Sequence, residues 1–169
     1  TVTIFGSYFL PGFRFRRALE KASARGVRIR IILAGKSDIP IFLNSSYYLY
    51  SWLQKHQIEV YEWQPSVLHA KLALVDDIWM TVGSFNLNQL SAYGSIELNI
   101  DVKDEEFVSQ VRKEIEILIK NGCTYIDPAR PRGFFIRCRE FVAYYLGRTL
   151  IHLITFFPGL MGKRKKMID

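Results

Sequence analysis

Two amphipathic helical stretches sit between short β-type runs in the first 63 residues, and that alternation decides the fold class. "VTIFGSYFL" (2–10) is β-branched and aromatic, and Pro11-Gly12 stops it. "FRFRRALEKASAR" (13–25) places Phe13, Arg17 and Glu20 at helical spacing, and Gly26 ends it as a C′ glycine does. "VRIRIILA" (27–34) sets Val27, Ile29 and Ile31 against Arg28 and Arg30 before turning wholly apolar, which predicts a strand entering a core. A loop, "GKSDIPIFLN", leads to a helix over "SSYYLYSWLQKHQ", whose expected cap is Asn44, Ser45 or Ser46. "IEVYEW" (58–63) alternates again.

Residues 70–83 predict two strands joined at Asp76-Asp77, "IELNIDV" (96–102) one more, and "DEEFVSQVRKEIEILIKNG" a strongly periodic helix closed by Asn121-Gly122. The order is β-α-β-α-β-β-β-β-α. Helices between strands predict a layered α/β domain with a mixed β-sheet flanked by helices. At 169 residues and 49% apolar, the chain can bury one core of its own.

The net charge of +7 divides into +5 for residues 1–68, −5 for 69–128 and +7 for 129–169. A basic tail points to phosphate, in lipid headgroups or in nucleic acid. Cys123 and Cys138 have neither metal-ligand spacing nor the density of a disulfide scaffold, so a reducing compartment is expected. The opening "TVTIFGSYFL" has no initiator Met, no basic n-region and no cleavage site, which leads us to expect a piece of a longer chain.

Chemistry concentrates in "LHAKLALVDDIWMTVGSFN" (68–86). His69 and Lys71 are two apart, so on one strand their side chains emerge from the same face. Gly83-Ser84 and Asn86 add a sharp turn with a hydroxyl and an amide, both able to bond phosphoryl oxygens. A single histidine near a strand is ordinarily a surface or core residue, and Gly-Ser-x-Asn is common in turns. The joint pattern H-x-K-x4-D-x6-G-S-x-N fixes six identities at once.

On that string, carried by His69, Lys71, Asp76, Gly83, Ser84 and Asn86, the sequence resembles the phospholipase D superfamily. Glu97, eleven residues past Asn86, falls where that family carries an acidic residue that engages an active-site histidine. "YFLPGFRFRRALEKASARGVRIRIIL" and "LSAYGSIELNIDV" extend the likeness, over about residues 1–120, to the second half of bacterial cardiolipin synthases. "NLNQLSAYGS" departs from it where many of those synthases have Asp-x-Arg-Ser.

The resemblance implies a phospholipase D-like half-domain over 1–128 that works by covalent catalysis with no metal and no cofactor. His69 would be the nucleophile or its acid/base partner, and Lys71, Ser84 and Asn86 would hold phosphate oxygens. Glu97 would orient His69, and Asp76, which begins a turn past the strand, reads as more structural than catalytic. His56 and His152 lack the motif around them, so a second histidine has to come from an upstream half or from a homodimer mate.

Residues 129–169 form a basic, apolar extension expected to be helical. Phe134 to Leu160 is greasy but interrupted, with Arg148 near the middle of 141–162, and Lys163-Arg164-Lys165-Lys166 closes it. That disfavours a span and fits an interfacial helix on an anionic membrane, while packing on protein is the alternative.

The expected activity is transfer of a phosphatidyl group between phosphatidylglycerol molecules, at the cytoplasmic side of a bacterial inner membrane. The runner-up is a single-motif phosphodiesterase or nuclease working as a homodimer. The third reading is a half-domain that mainly binds lipid or a partner. The apolar tail favours lipid over nucleic acid.

Overall fold

The computed structural model describes residues 1–128 and 133–157. Three parallel strands come first: β1 (Val2–Gly6), β2 (Ile29–Ala34) and β3 (Glu59–Trp63). Parallel neighbours need a long crossover, and α1 (Phe13–Ala24) and α2 (Pro40–Lys55) supply it. β4 (Lys71–Val75), β5 (Trp79–Gly83) and β6 (Asn99–Val102) then run antiparallel from the other side of β1, and β7 (Cys123–Tyr125) pairs antiparallel with β3. The sheet order is β6-β5-β4-β1-β2-β3-β7. α3 (Gln89–Tyr93), α4 (Glu105–Gly122) and α5 (Phe134–Phe156) complete the described elements.

The expected order of strands and helices is observed, with α3 and β7 added. α2 starts earlier than expected. Pro40 stands at its first position, where a missing N–H costs nothing, and Ile39 is the N-cap. Ser45 and Ser46 are not caps: both are buried in the helix and return their hydroxyls to the carbonyls of Ile41 and Phe42. Gly26 follows α1 with φ +85, the left-handed conformation its sequence position predicts.

Both faces of the sheet are covered at its centre. Ile4, Ile29, Ile31 and Val60 meet Leu19 of α1 and Leu49 and Leu53 of α2. Phe5, Ile32, Leu74 and Met80 point the other way and meet Val108, Ile115 and Ile119 of α4. Each such side chain contributes about 1.5–3 kcal/mol by leaving water.

α5 packs along α2 through a narrow stripe of Ala143, Tyr144, Gly147 and Ile151. Ser45 Oγ donates to Ala143 O at 2.7 Å, and Tyr48 stacks on Tyr144 with ring centroids 4.5 Å apart. The other sides of α5, including Phe135, Val142 and Leu146, stay exposed. No helix among the described residues is long and apolar enough to cross a membrane. The basic run Lys163 to Lys166 and the end of the greasy segment lie outside the described residues.

Candidate active site

The strand registers gather the motif at one edge. Gly6 pairs with Lys71, Leu72 with Val82 and Gly83 with Asn99, so the start of β4, the end of β5 and the segment before β6 all lie where the parallel strands end. Open α/β sheets place ligands outside those carboxyl ends.

His69 precedes β4 by two residues and is exposed. Its segment is fastened to the end of β1 by Ser7, a buried residue whose Oγ donates to Ala70 O at 3.2 Å. The imidazole meets the ring of Tyr8 edge-on, with centroids 6.3 Å apart. Tyr8 Oη donates to both carboxylate oxygens of Asp38, at 2.8 and 2.9 Å. Partial burial and that bond push the Tyr8 hydroxyl up to about 12, so it remains a donor. The Tyr8 bond holds the Asp38 carboxyl below its usual range.

Lys71 Nζ donates to the carbonyl of His69 at 3.1 Å. Partial burial pulls its ammonium below the ordinary lysine value, against the opposing pull of Glu97 and Asp38. An ammonium partly stripped of water, with open donor sites left, is suited to an anionic oxygen.

The turn after β5 is held by its contacts. A Cβ at Gly83 would overlap the Leu98 carbonyl and the Asn99 side chain, so only glycine lets β5 and β6 approach there. Ser84 Oγ donates to Glu97 at 2.5 Å and accepts from Leu98 N at 3.0 Å. Asn86 donates its backbone N–H to Ser91 Oγ at 3.1 Å, while its own Oδ1 is buried with no partner among the described residues. Bonds from Ser84 and then Ser91, with Lys71 nearby, hold the Glu97 carboxyl below its usual range.

The structure therefore brings His69, Lys71, Ser84, Asn86 and Glu97 to one edge. Glu97 bonds Ser84 in this chain, and no hydrogen bond joins it to His69 among the described residues. Asp76 stands at the far end of β4, roughly 17 Å along the strand from Lys71 at the ordinary rise per residue. It adopts φ 47 at the turn into β5, and its Oδ1 accepts from the Thr1 nitrogen at 2.5 Å. His56 and His152 lie elsewhere, at the end of α2 and on α5.

Sequence reasoning missed three residues here: Tyr8, Asp38 and Ser91. Asp38 reads as a loop residue and Ser91 as part of a departure from the resemblance. Tyr8 and Asp38 lie in the loops that follow β1 and β2, and Ser91 lies in α3 between β5 and β6, a placement that signals the site only once the strand order is known.

Residues 1–119 match the family described as cardiolipin synthase, phospholipase D-like domain. The chain belongs to this family. Over 163 residues this phospholipase D-like chain is 36% identical to cardiolipin synthase B of Escherichia coli K12, covering 95% of itself and 38% of that relative's length. In fold it is similar to the phosphatidylserine synthase of Haemophilus influenzae, with a TM-score of 0.69, 15% identity, and coverage of 91% of this chain and 41% of the other. It is also similar to Nuc, a phospholipase D family member of Salmonella typhimurium, with a TM-score of 0.60, 15% identity and coverage of 74% and 80%. The likeness to these two structures is one of fold.

Proposed function

We propose that this chain is the catalytic half-domain of a phosphatidyltransferase of the cardiolipin synthase type, with phosphatidylglycerol as donor and acceptor. The observation that carries the reading is the convergence of His69, Lys71, Ser84 and Asn86 on one open edge, in a chain aligned over 95% of its length with a cardiolipin synthase.

The chemistry follows from the donor set. A neutral imidazole of His69 attacks the phosphorus, the bond from phosphorus to the leaving glycerol oxygen breaks, and an acid returns a proton to that oxygen. The alcohol of a second lipid then gives its proton to that same group, now a base, and attacks the phosphohistidine, releasing the imidazole. Charge on the non-bridging oxygens is met by Lys71 and by the amide of Asn86, and preorganised donors of this kind contribute about 3 kcal/mol each. Ser84 reaches the same oxygens by giving up its bond to Glu97. Glu97 stabilises a histidine cation as a fixed carboxylate does. Asp76 acts on the scaffold.

Attack and protonation take two histidines, so the second comes from an upstream half or a second copy of this motif. The basic C-terminal segment places the enzyme on the anionic lipid of the inner membrane's cytoplasmic face. The likeness in size and fold to Nuc supports a second reading, a single-motif phosphodiesterase cutting nucleic acid as a homodimer.

Phosphatidylglycerol and single-stranded DNA offered separately to the full-length protein test the choice. We expect cardiolipin to form, an acid-labile, alkali-stable phosphoprotein to be trapped, and His69→Ala to lower turnover by about a thousandfold or more. Cleavage of DNA without lipid turnover sinks the proposal, as does full activity of His69→Ala.

A further inference from the structure

α1 and its C-cap carry four cations with no ion-pair partner among the described residues. They are Arg14, Arg17, Lys21 and Arg25, all exposed. Their spacing of three, four and four puts them within an arc of about 80°. Leu19, the buried residue of the helix, faces the opposite way. This is one basic stripe along the outward face of α1, and it lies far from the basic extension in sequence.

At its amino end the stripe meets an aromatic rim. Phe13 is 68% exposed and Tyr93, at the end of α3, 67% exposed. Between them lies a groove of about 490 Å³ lined by Phe13, Phe15, Phe85, Leu87 and Tyr93, with Arg14 at its lip. Phe85 is the residue between Ser84 and Asn86, so the groove opens beside the turn of the candidate active site. The rim continues to Phe156 of α5, whose ring lies 6.2 Å from that of Tyr93.

We propose that the α1 stripe and this aromatic rim form a docking face for an anionic lipid surface, with headgroups on Arg14, Arg17, Lys21 and Arg25 and acyl carbon in the groove between α1 and α3. Charge and apolarity choose the occupant together. Four cations with no ion-pair partner among the described residues select an anionic surface, and a groove floored by Phe15 and Leu87 beside them takes acyl carbon, while stacking of bases on Phe13 and Tyr93 is the outcome that the DNA arm of the test detects. The face delivers a lipid phosphate to the Ser84–Asn86 turn, and to that extent it rests on the phosphatidyl reading.

The test is co-sedimentation of the full-length protein with phosphatidylglycerol vesicles, phosphatidylcholine vesicles and single-stranded DNA. R14E/R17E/K21E is expected to weaken binding to phosphatidylglycerol vesicles at least about 100-fold, since loss of each cation alone costs about fivefold. F13S/Y93S is expected to weaken it at least about fivefold. R14K/R17K keeps it, since the stripe acts as charge and not as shaped forks. His69→Ala, which tests turnover, leaves vesicle affinity as it is, so the catalytic and docking readings fail separately. Wild-type binding by R14E/R17E/K21E, with native circular dichroism, overturns the proposal. So does equal affinity for the two vesicle types, or a loss that affects DNA and spares vesicles.

Discussion

Arg30 is a guanidinium with 7% of its side chain exposed, and its neighbours account for its survival there. Its Nη1 donates to Glu116 Oε2 at 2.8 Å, its Nη2 also bonds Glu116 Oε1, and Thr3 Oγ1 accepts at 2.9 Å. The bond to Glu116 raises the Arg30 pKa, and the bond from Arg30 holds the Glu116 carboxyl below its usual range. Removing one charge strands the other. Glu116→Gln is therefore expected to cost about 2 kcal/mol in urea denaturation, below the range for a fully buried pair because Glu116 is half exposed. A depressed carboxyl stabilises above its unfolded pKa and loses that contribution as pH falls through its folded pKa. The wild type should thus lose more stability than the variant between about pH 5 and the lower folded value, and parallel pH profiles would count against the pair. In the sequence, Arg30 alternates with Ile29 and Ile31 like any solvent-facing residue. Its burial was not legible because α4, which covers that face, comes some 75 residues later, with α2, β3, β4, β5, α3 and β6 between. A gap of 30 residues to Tyr8 hid Asp38, and Ser91 was hidden by the short helix α3, whose five residues carry no period, while His69, Lys71 and Ser84 stood out because one short segment carries them all.

Elements with many residues of one period were legible. α4 runs from Glu105 to Gly122 behind an Asp104 cap whose carboxylate accepts from Phe107 N at 2.9 Å, close to the span its periodicity predicts. α3 and β7 are five and three residues long, too short for any period to register. α2 was misplaced at its start because serines that look like caps are used sideways, in helix packing. Ser45 and Gly147 make that packing tight: a Cβ at Gly147 would stand 2.8 Å from Ser45 Oγ. Gly147→Ala should then lower stability by about 1–3 kcal/mol, since the overlap outweighs alanine's better helix propensity. In a Ser45→Ala background, where the hydroxyl is gone, the same change should be milder by at least about 0.5 kcal/mol, a coupling measured by a double-mutant cycle. Strict additivity would mean α5 does not rest on α2 at this point.

At the scale of the whole molecule, the sheet collects His69, Lys71, Ser84, Asn86 and Glu97 on one edge and leaves Asp76 at the other end of β4, yet that edge holds one histidine. His56 is 22% exposed on its side chain and stands 4.0 Å from Glu20, and His152 packs on Phe156 with centroids 4.7 Å apart, so neither serves the edge where Lys71 and Ser84 converge. The chain also spans 38% of the length of the cardiolipin synthase it matches. If transfer takes a nucleophile and an acid, one copy of this 169-residue chain does not supply both. Its rate of phosphatidyl transfer should then rise as the square of protein concentration wherever two copies form the site, and should vanish under dilution. Linking a second motif to the same chain makes the rate first order. A first-order rate for the 169-residue chain alone, with His69 as its single edge histidine, would show that one imidazole both attacks and protonates, and the two-histidine scheme would fall while the phosphate-binding role of Lys71, Ser84 and Asn86 stood.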